Sequence, residues 1–174
     1  MNTNNNELFF KYEDKTYPDL IRRGWHSQYI IPIAQKFCRG KVIDIGNSRD
    51  SWTFPGAQDC CDLNNKVPWN DAMKIPVENE YYNAIFSSHC LEHLADYFGG
   101  LCEWTRILKP GGMLFLYLPD SEAMPYWKPC NDRRHLHILK PEDLKYDLEN
   151  LGYKNILISG TDLAFSWSIV GQKK

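Results

Sequence analysis

Residues 113–118, Met-Leu-Phe-Leu-Tyr-Leu, form an unbroken apolar run closed by Pro119 and preceded by Lys109, Pro110, Gly111 and Gly112. A strand without a polar face must be covered on both sides, and sheets covered on both faces belong to α/β proteins built on parallel strands. The run therefore predicts a central strand, a stop and turn at 109–112, and helices above and below the sheet.

The rest of the chain supplies the other layers. Residues 41–45 (Lys-Val-Ile-Asp-Ile) read as a short buried strand entering a turn at Gly46, and residues 57–63 and 82–88 read as two more. Residues 27–37 read as a helix ahead of the sheet, with Pro32 at a kink or first turn. Residues 91–108 place apolar side chains at Leu91, Leu94, Tyr97, Phe98, Leu101, Trp104, Ile107 and Leu108, which is helical spacing, while Gly99 and Gly100 weaken its middle and allow two segments. Residues 141–151 read as a helix with Pro141 in its first turn, Glu142 and Asp143 near its positive end and Gly152 after it. Residues 154–159 and 164–170 are close enough to pair antiparallel. This alternation predicts a mostly parallel sheet with right-handed crossovers. Ligands of such sheets bind beyond the carboxyl ends of the strands, where the strand order reverses.

A length of 174 residues fits one domain, 1–174, with residues 1–16 as a flexible N-terminal extension that starts Asn-rich. A formal charge of −2 gives no bulk attraction to nucleic acid or to an anionic membrane, so neither is expected as a partner. The six cysteines include no C-x-x-C pair and read as reduced, mostly buried thiols. With no signal-like or spanning apolar run, a cytoplasmic location is expected. Of the tryptophans, Trp104 and Trp167 read as core, and Trp52, Trp69 and Trp127 as loop residues.

Residues 42–50, Val-Ile-Asp-Ile-Gly-Asn-Ser-Arg-Asp, put Asp44 near a strand end and a glycine where backbone can approach a ligand. Asp62 follows eighteen residues after Asp44, at the expected end of the next strand, where a carboxylate can accept both hydroxyls of a ribose. Two further segments are more specific: Ser-Ser-His-Cys-Leu-Glu-His-Leu at 87–94, and Glu103-Trp-Thr-Arg-Ile-Leu-Lys-Pro-Gly-Gly112 running into the central strand. Together these resemble the class I S-adenosylmethionine-dependent methyltransferases of the type 11 kind, over residues 41–170.

The resemblance implies a Rossmann-like, doubly wound, mostly parallel seven-stranded sheet with an antiparallel C-terminal strand, and S-adenosyl-L-methionine as cofactor. It implies that Asp44, Gly46 and Asn47 lie near the methionine part, that Asp62 and Leu63 hold the ribose, that Asp71 and Ala72 flank adenine, and that Ser87, Ser88 and His89 line the junction with the acceptor. Ser48 and Asp50 stand where the family carries glycines, and only twelve residues separate Gly46 from Asp59. This departure supports a second reading, a catalytically silent binding module. A nicotinamide-dependent dehydrogenase ranks last because G-x-G-x-x-G is missing.

For an enzyme, the candidate general bases are His89, His135 and His137, with Asp120 to orient one of them. Residues 117–137 resemble methyltransferase-like proteins of bacterial surface-polysaccharide clusters and combine aromatics with Arg133 and Arg134, which suits a small-molecule or glycan acceptor. His89-Cys-Leu-Glu-His93 matches H-x-x-E-H, a zinc pattern when helical. Its place directly after a strand ranks it below the methyltransferase segment, in which Glu92 and His93 would pack and cap the helix start, so no metal is expected.

Overall fold

The computed structural model describes residues 9–12, 14–18, 27–46, 53–61 and 71–174. The main sheet contains β3 (Val42–Ile45), β4 (Asp59–Cys61), β5 (Tyr82–Ser88), β6 (Leu108–Pro119), β7 (Tyr153–Ile158) and β8 (Ser166–Lys173), in the order β4-β3-β5-β6-β8-β7. Strands β4, β3, β5 and β6 run parallel, and β8 pairs antiparallel with both β6 and β7. The doubly wound, mostly parallel expectation holds, with six strands among the described residues instead of seven. A separate antiparallel hairpin joins β1 (Phe9–Tyr12) and β2 (Lys15–Pro18), where the sequence had suggested only an extension.

Both faces of the sheet are covered. All four residues of β3 are buried. Ile43 and Ile45 join Trp104, Leu114, Leu116, Leu144 and Leu148 in one core layer, under α2 (Tyr97–Ile107) and α3 (Pro141–Asn150). Val42, Ala84, Phe86, Phe115 and Tyr117 face the other way, onto Ile30 and Ala34 of α1 (Ser27–Ala34). Alternate residues of one strand thus feed two cores, as strand geometry dictates. Among the described residues no helix is long and apolar enough to cross a membrane.

Two boundaries differ from the sequence reading, each for a local reason. The Lys-Pro-Gly-Gly segment is not a stop. Strand β6 already begins at Leu108, opposite Tyr82, and its next partner is Met113, opposite Ala84, so the intervening residues bulge out of the ladder with Gly111 at φ 77°. The expected long helix divides at Leu94 to Asp96, not at the glycines. A single 3-10 turn spans Leu91–His93, and α2 restarts behind Asp96, whose side chain accepts the N–H of Gly99 at 2.8 Å. The two glycines lie in that first turn, and a Cβ on Gly99 would sit 2.4 Å from the capping carboxylate. The thiols are also less buried than expected: Cys38 and Cys61 are buried, Cys60 and Cys90 half-buried, and Cys102 and Cys130 exposed.

Candidate functional site

Strand order reverses at β3, which has β4 on one side and β5 on the other. In open α/β sheets a ligand crevice forms at such a reversal, which here falls between the ends of β3 and β5. Gly46 follows β3 with φ 99°, and its N–H donates to the Cys61 carbonyl. A Cβ there would sit 2.3 Å from Cβ of Cys90, so the glycine also lets the loop after β5 close against it. Asp44 is 2% exposed and accepts the Phe54 N–H at 2.7 Å. Burial pushes its carboxyl up to about 7, partly offset by that N–H. Its observed task is to hold the returning chain against β3.

The other cofactor candidates divide. Asn47, Asp62 and Leu63 lie outside the described residues, as do Trp52 and Trp69. Asp71 is exposed and closes a turn by accepting the Met73 N–H. Ala72 is 8% exposed, and its carbonyl accepts the indole N–H of Trp104 at 2.7 Å. Ser87 is buried at the end of β5, while Ser88, on the opposite face, shares a 2.7 Å hydrogen bond with Ser27 of α1.

His89 comes next, and it is one of four described non-glycine residues with positive φ, at 49°. Strained backbone of this kind recurs at functional sites. Its N–H donates to the Tyr117 carbonyl, which fixes the turn to β6. Its Nε2 is 2.9 Å from Ser166 Oγ, and the ring meets Tyr117 and Trp127 edge-on. Trp127, read from sequence as a loop residue, is buried.

Asp120 does not orient a histidine. One carboxylate oxygen accepts the N–H groups of Glu122 and Ala123, and the other accepts the Thr161 hydroxyl. The residue closes the turn after β6. His137 donates Nε2–H to the Leu94 carbonyl and stacks edge-on against Tyr97. Arg134 forks onto Asp132 through Nε and an Nη at 3.0 and 2.7 Å, and this guanidinium holds the Asp132 carboxyl down at about 2. Both Arg133 and Arg134 are exposed, but Arg134 is thus already paired.

Sequence reasoning missed the role of Glu92. It caps no helix; its backbone carbonyl accepts from Leu136 and its side chain points into the molecule. The carboxylate is 1% exposed, and among the described residues neither oxygen has a hydrogen-bond partner. Burial pushes it up to about 8, partly offset by its own amide. His89 Nδ1 lies 3.6 Å and His93 Nε2 3.8 Å from its Oε1. Burial lowers both His93 and His135, the latter to about 4 with His93 beside it. The H-x-x-E-H pattern was the available signal, but the helix it needs is absent: His89 follows a strand and His93 ends a 3-10 turn.

Comparison with known proteins bears on family and fold. The sequence profile of a family described as "methyltransferase domain" matches residues 23–158. Demethylmenaquinone methyltransferase of Staphylococcus saprophyticus is 29% identical over 92 residues, 52% of this chain and 39% of that protein. Its Staphylococcus aureus counterpart is 32% identical over 65 residues, 37% of this chain and 27% of the relative. The matched stretch therefore spans well under half the length of these relatives. Among solved structures, a methyltransferase from Thermotoga maritima described as S-adenosylmethionine-dependent and a possible histamine N-methyltransferase superposes with TM-score 0.75 at 16% identity, covering 90% of this chain and 92% of that one. An S-adenosylmethionine-dependent methyltransferase from Archaeoglobus fulgidus gives 0.69 at 19% identity, covering 89% and 97%. The profile takes in most of the chain and the sheet has the same architecture, so the chain belongs to the methyltransferase domain family.

Proposed function

We propose that this chain binds S-adenosylmethionine across the ends of β3 and β5 and transfers its methyl group to a small-molecule acceptor. The observation that carries the reading is the meeting of Gly46 with the His89–Cys90 turn at the point where strand order reverses. Family membership supports it, as does the name of the relatives, demethylmenaquinone methyltransferase. Gly46 suits a cofactor by keeping a side chain out of the crevice, and Ser87 and Ser88 end the strand beside it.

The bound cofactor supplies an activated methyl group, so the chain mainly aligns the acceptor and receives a proton from it. His89 is the favoured base. His137 is committed to the Leu94 carbonyl and His135 to that of Trp127, whereas His89 bonds to a hydroxyl at the strand end. The acceptor we favour is a sugar hydroxyl, met by the half-buried ring of Tyr126 and by the exposed Arg133.

A silent binding module is the second reading. It draws support from the two residues of the first motif, which both have packing reasons: Gly46 against Cys90, and Asp44 on the Phe54 N–H. Calorimetry with S-adenosylhomocysteine separates the two. Saturable binding that weakens in Asp62→Ala is expected, and absence of binding at millimolar ligand would leave the silent module. A labelled-methyl assay over nucleotide-sugars, glycan fragments, quinol-like phenols and amines then tests the acceptor. Transfer to phenols alone would eliminate the sugar.

A further inference from the structure

A buried carboxylate without a hydrogen bond is costly and calls for a cation or a proton. Around Glu92 one donor atom each from Glu92, His93 and His135 lies within 4.8 Å of the others. Both imidazoles are already oriented. His93 Nδ1 is 2.7 Å from the Arg134 carbonyl, and His135 Nδ1 is 2.8 Å from the Trp127 carbonyl. A carbonyl only accepts, so each Nδ1 carries the proton and each Nε2 keeps its lone pair. Metal-binding histidines are held in this same way, with the second ring nitrogen donating to a backbone or carboxylate oxygen. The nearby guanidinium does not compete for the carboxylate, because Arg134 is forked onto Asp132.

We propose that Glu92, His93 and His135 form a binding site for one divalent transition-metal ion. Two imidazole nitrogens and one carboxylate oxygen suit zinc and its neighbours better than magnesium or calcium, which take oxygen ligands. Three protein ligands leave a coordination position open. Glu92 is closed off from solvent, and the His93 side chain, 33% exposed, offers the entry route. The site reverses the expectation of a metal-free chain. Sequence spacing suggested a His89–His93 helical pair, whereas the second imidazole comes from His135, on the segment that crosses over the 3-10 turn and bonds to the Glu92 carbonyl. The inference is independent of methyl transfer and is tested without cofactor.

The test uses full-length protein carrying Cys102→Ser and Cys130→Ser, so that exposed thiols do not bind the probe. After chelator treatment and dialysis, Zn2+ is titrated by calorimetry and Co2+ by visible absorption, alongside Mg2+. One Zn2+ or Co2+ per chain is expected. His93→Ala and the near-isosteric Glu92→Gln should each weaken it by more than the ~10–100-fold seen when outer-shell partners are removed. Circular dichroism checks that each variant is folded. The proposal is overturned if the parent protein takes no Zn2+ or Co2+ at millimolar metal, if Mg2+ alone binds, or if folded Glu92→Gln and His93→Ala both retain parental affinity.

Discussion

The Asp44 carboxylate, buried in β3, receives the backbone N–H of Phe54 across a ten-residue excursion of the chain. The burial of this carboxylate, which the Phe54 N–H only partly offsets, has a pH consequence. The folded-state value near 7 lies above the ordinary 3.8, so the folded protein holds the proton more tightly than the unfolded chain does. The resulting stability is fully present below the ordinary value and is lost as pH rises toward 7. At about 1.4 kcal/mol per unit the loss is on the order of a few kcal/mol. Asp44→Asn keeps an acceptor for Phe54 and removes the titration. Urea unfolding at about pH 5 and about pH 8 should show a smaller difference for the variant than for the parent. An equal difference would refute the role of the Asp44 charge.

Gly46 and Cys90 give a second prediction. Gly46→Ala puts a Cβ into the Cys90 side chain, Cβ first, and strains a left-handed backbone, so a loss of ~1–3 kcal/mol is expected. Cys90→Gly removes the atom struck. The double variant should therefore be more stable than the sum of the single losses predicts, which denaturation of all four proteins measures. Simple additivity would mean that the loops do not meet as described.

Trp104 anchors the adenine-side candidate. Trp104→Phe leaves the buried Ala72 carbonyl without its donor, at a cost of ~1–3 kcal/mol. S-adenosylhomocysteine affinity should fall as well, because the Asp71–Ala72 turn loosens. Stability loss with unchanged affinity, read by calorimetry on folded variant, would remove this turn from the cofactor site.

Asp120, offered by the sequence to orient one of His89, His135 and His137, is instead occupied by Glu122, Ala123 and Thr161. Asp120→Ala should cost ~1–3 kcal/mol, through the freed N–H groups of Glu122 and Ala123, and leave the pH–rate profile unmoved. His89→Gln should lower kcat while sparing S-adenosylhomocysteine binding. A shifted profile in the Asp120 variant would restore its link to a catalytic base.

The strands were legible because each is a short apolar run between breakers: residues 82–88 were read with their observed bounds, and the late antiparallel pair within a few residues. What misled was local chemistry settled by tertiary partners. Pro110 and the two glycines after it look like a stop, yet Met113 resumes the same strand because Ala84 lies opposite it. The switch point between β3 and β5 was legible from the order of strands and crossovers, whereas the contacts of the candidate residues were not. Asp120 and Asp44 carry the right functional groups, but nothing in a linear sequence reveals that backbone N–H groups occupy them. Glu92 was hidden for the converse reason: its neighbour His135 lies 42 residues beyond His93, and only folding brings the rings to 4.7 Å.

Strand β8 lies between β6 and β7, although it comes after both in the chain. While the polypeptide is being synthesised, β7 thus has no neighbour in the sheet until residues 166–173 leave the ribosome. His89 likewise waits for Ser166, the first residue of that strand. The barrier to folding should include this late, long-range insertion, which makes the nascent domain slow to close and exposes the β6 edge to other chains in the interval.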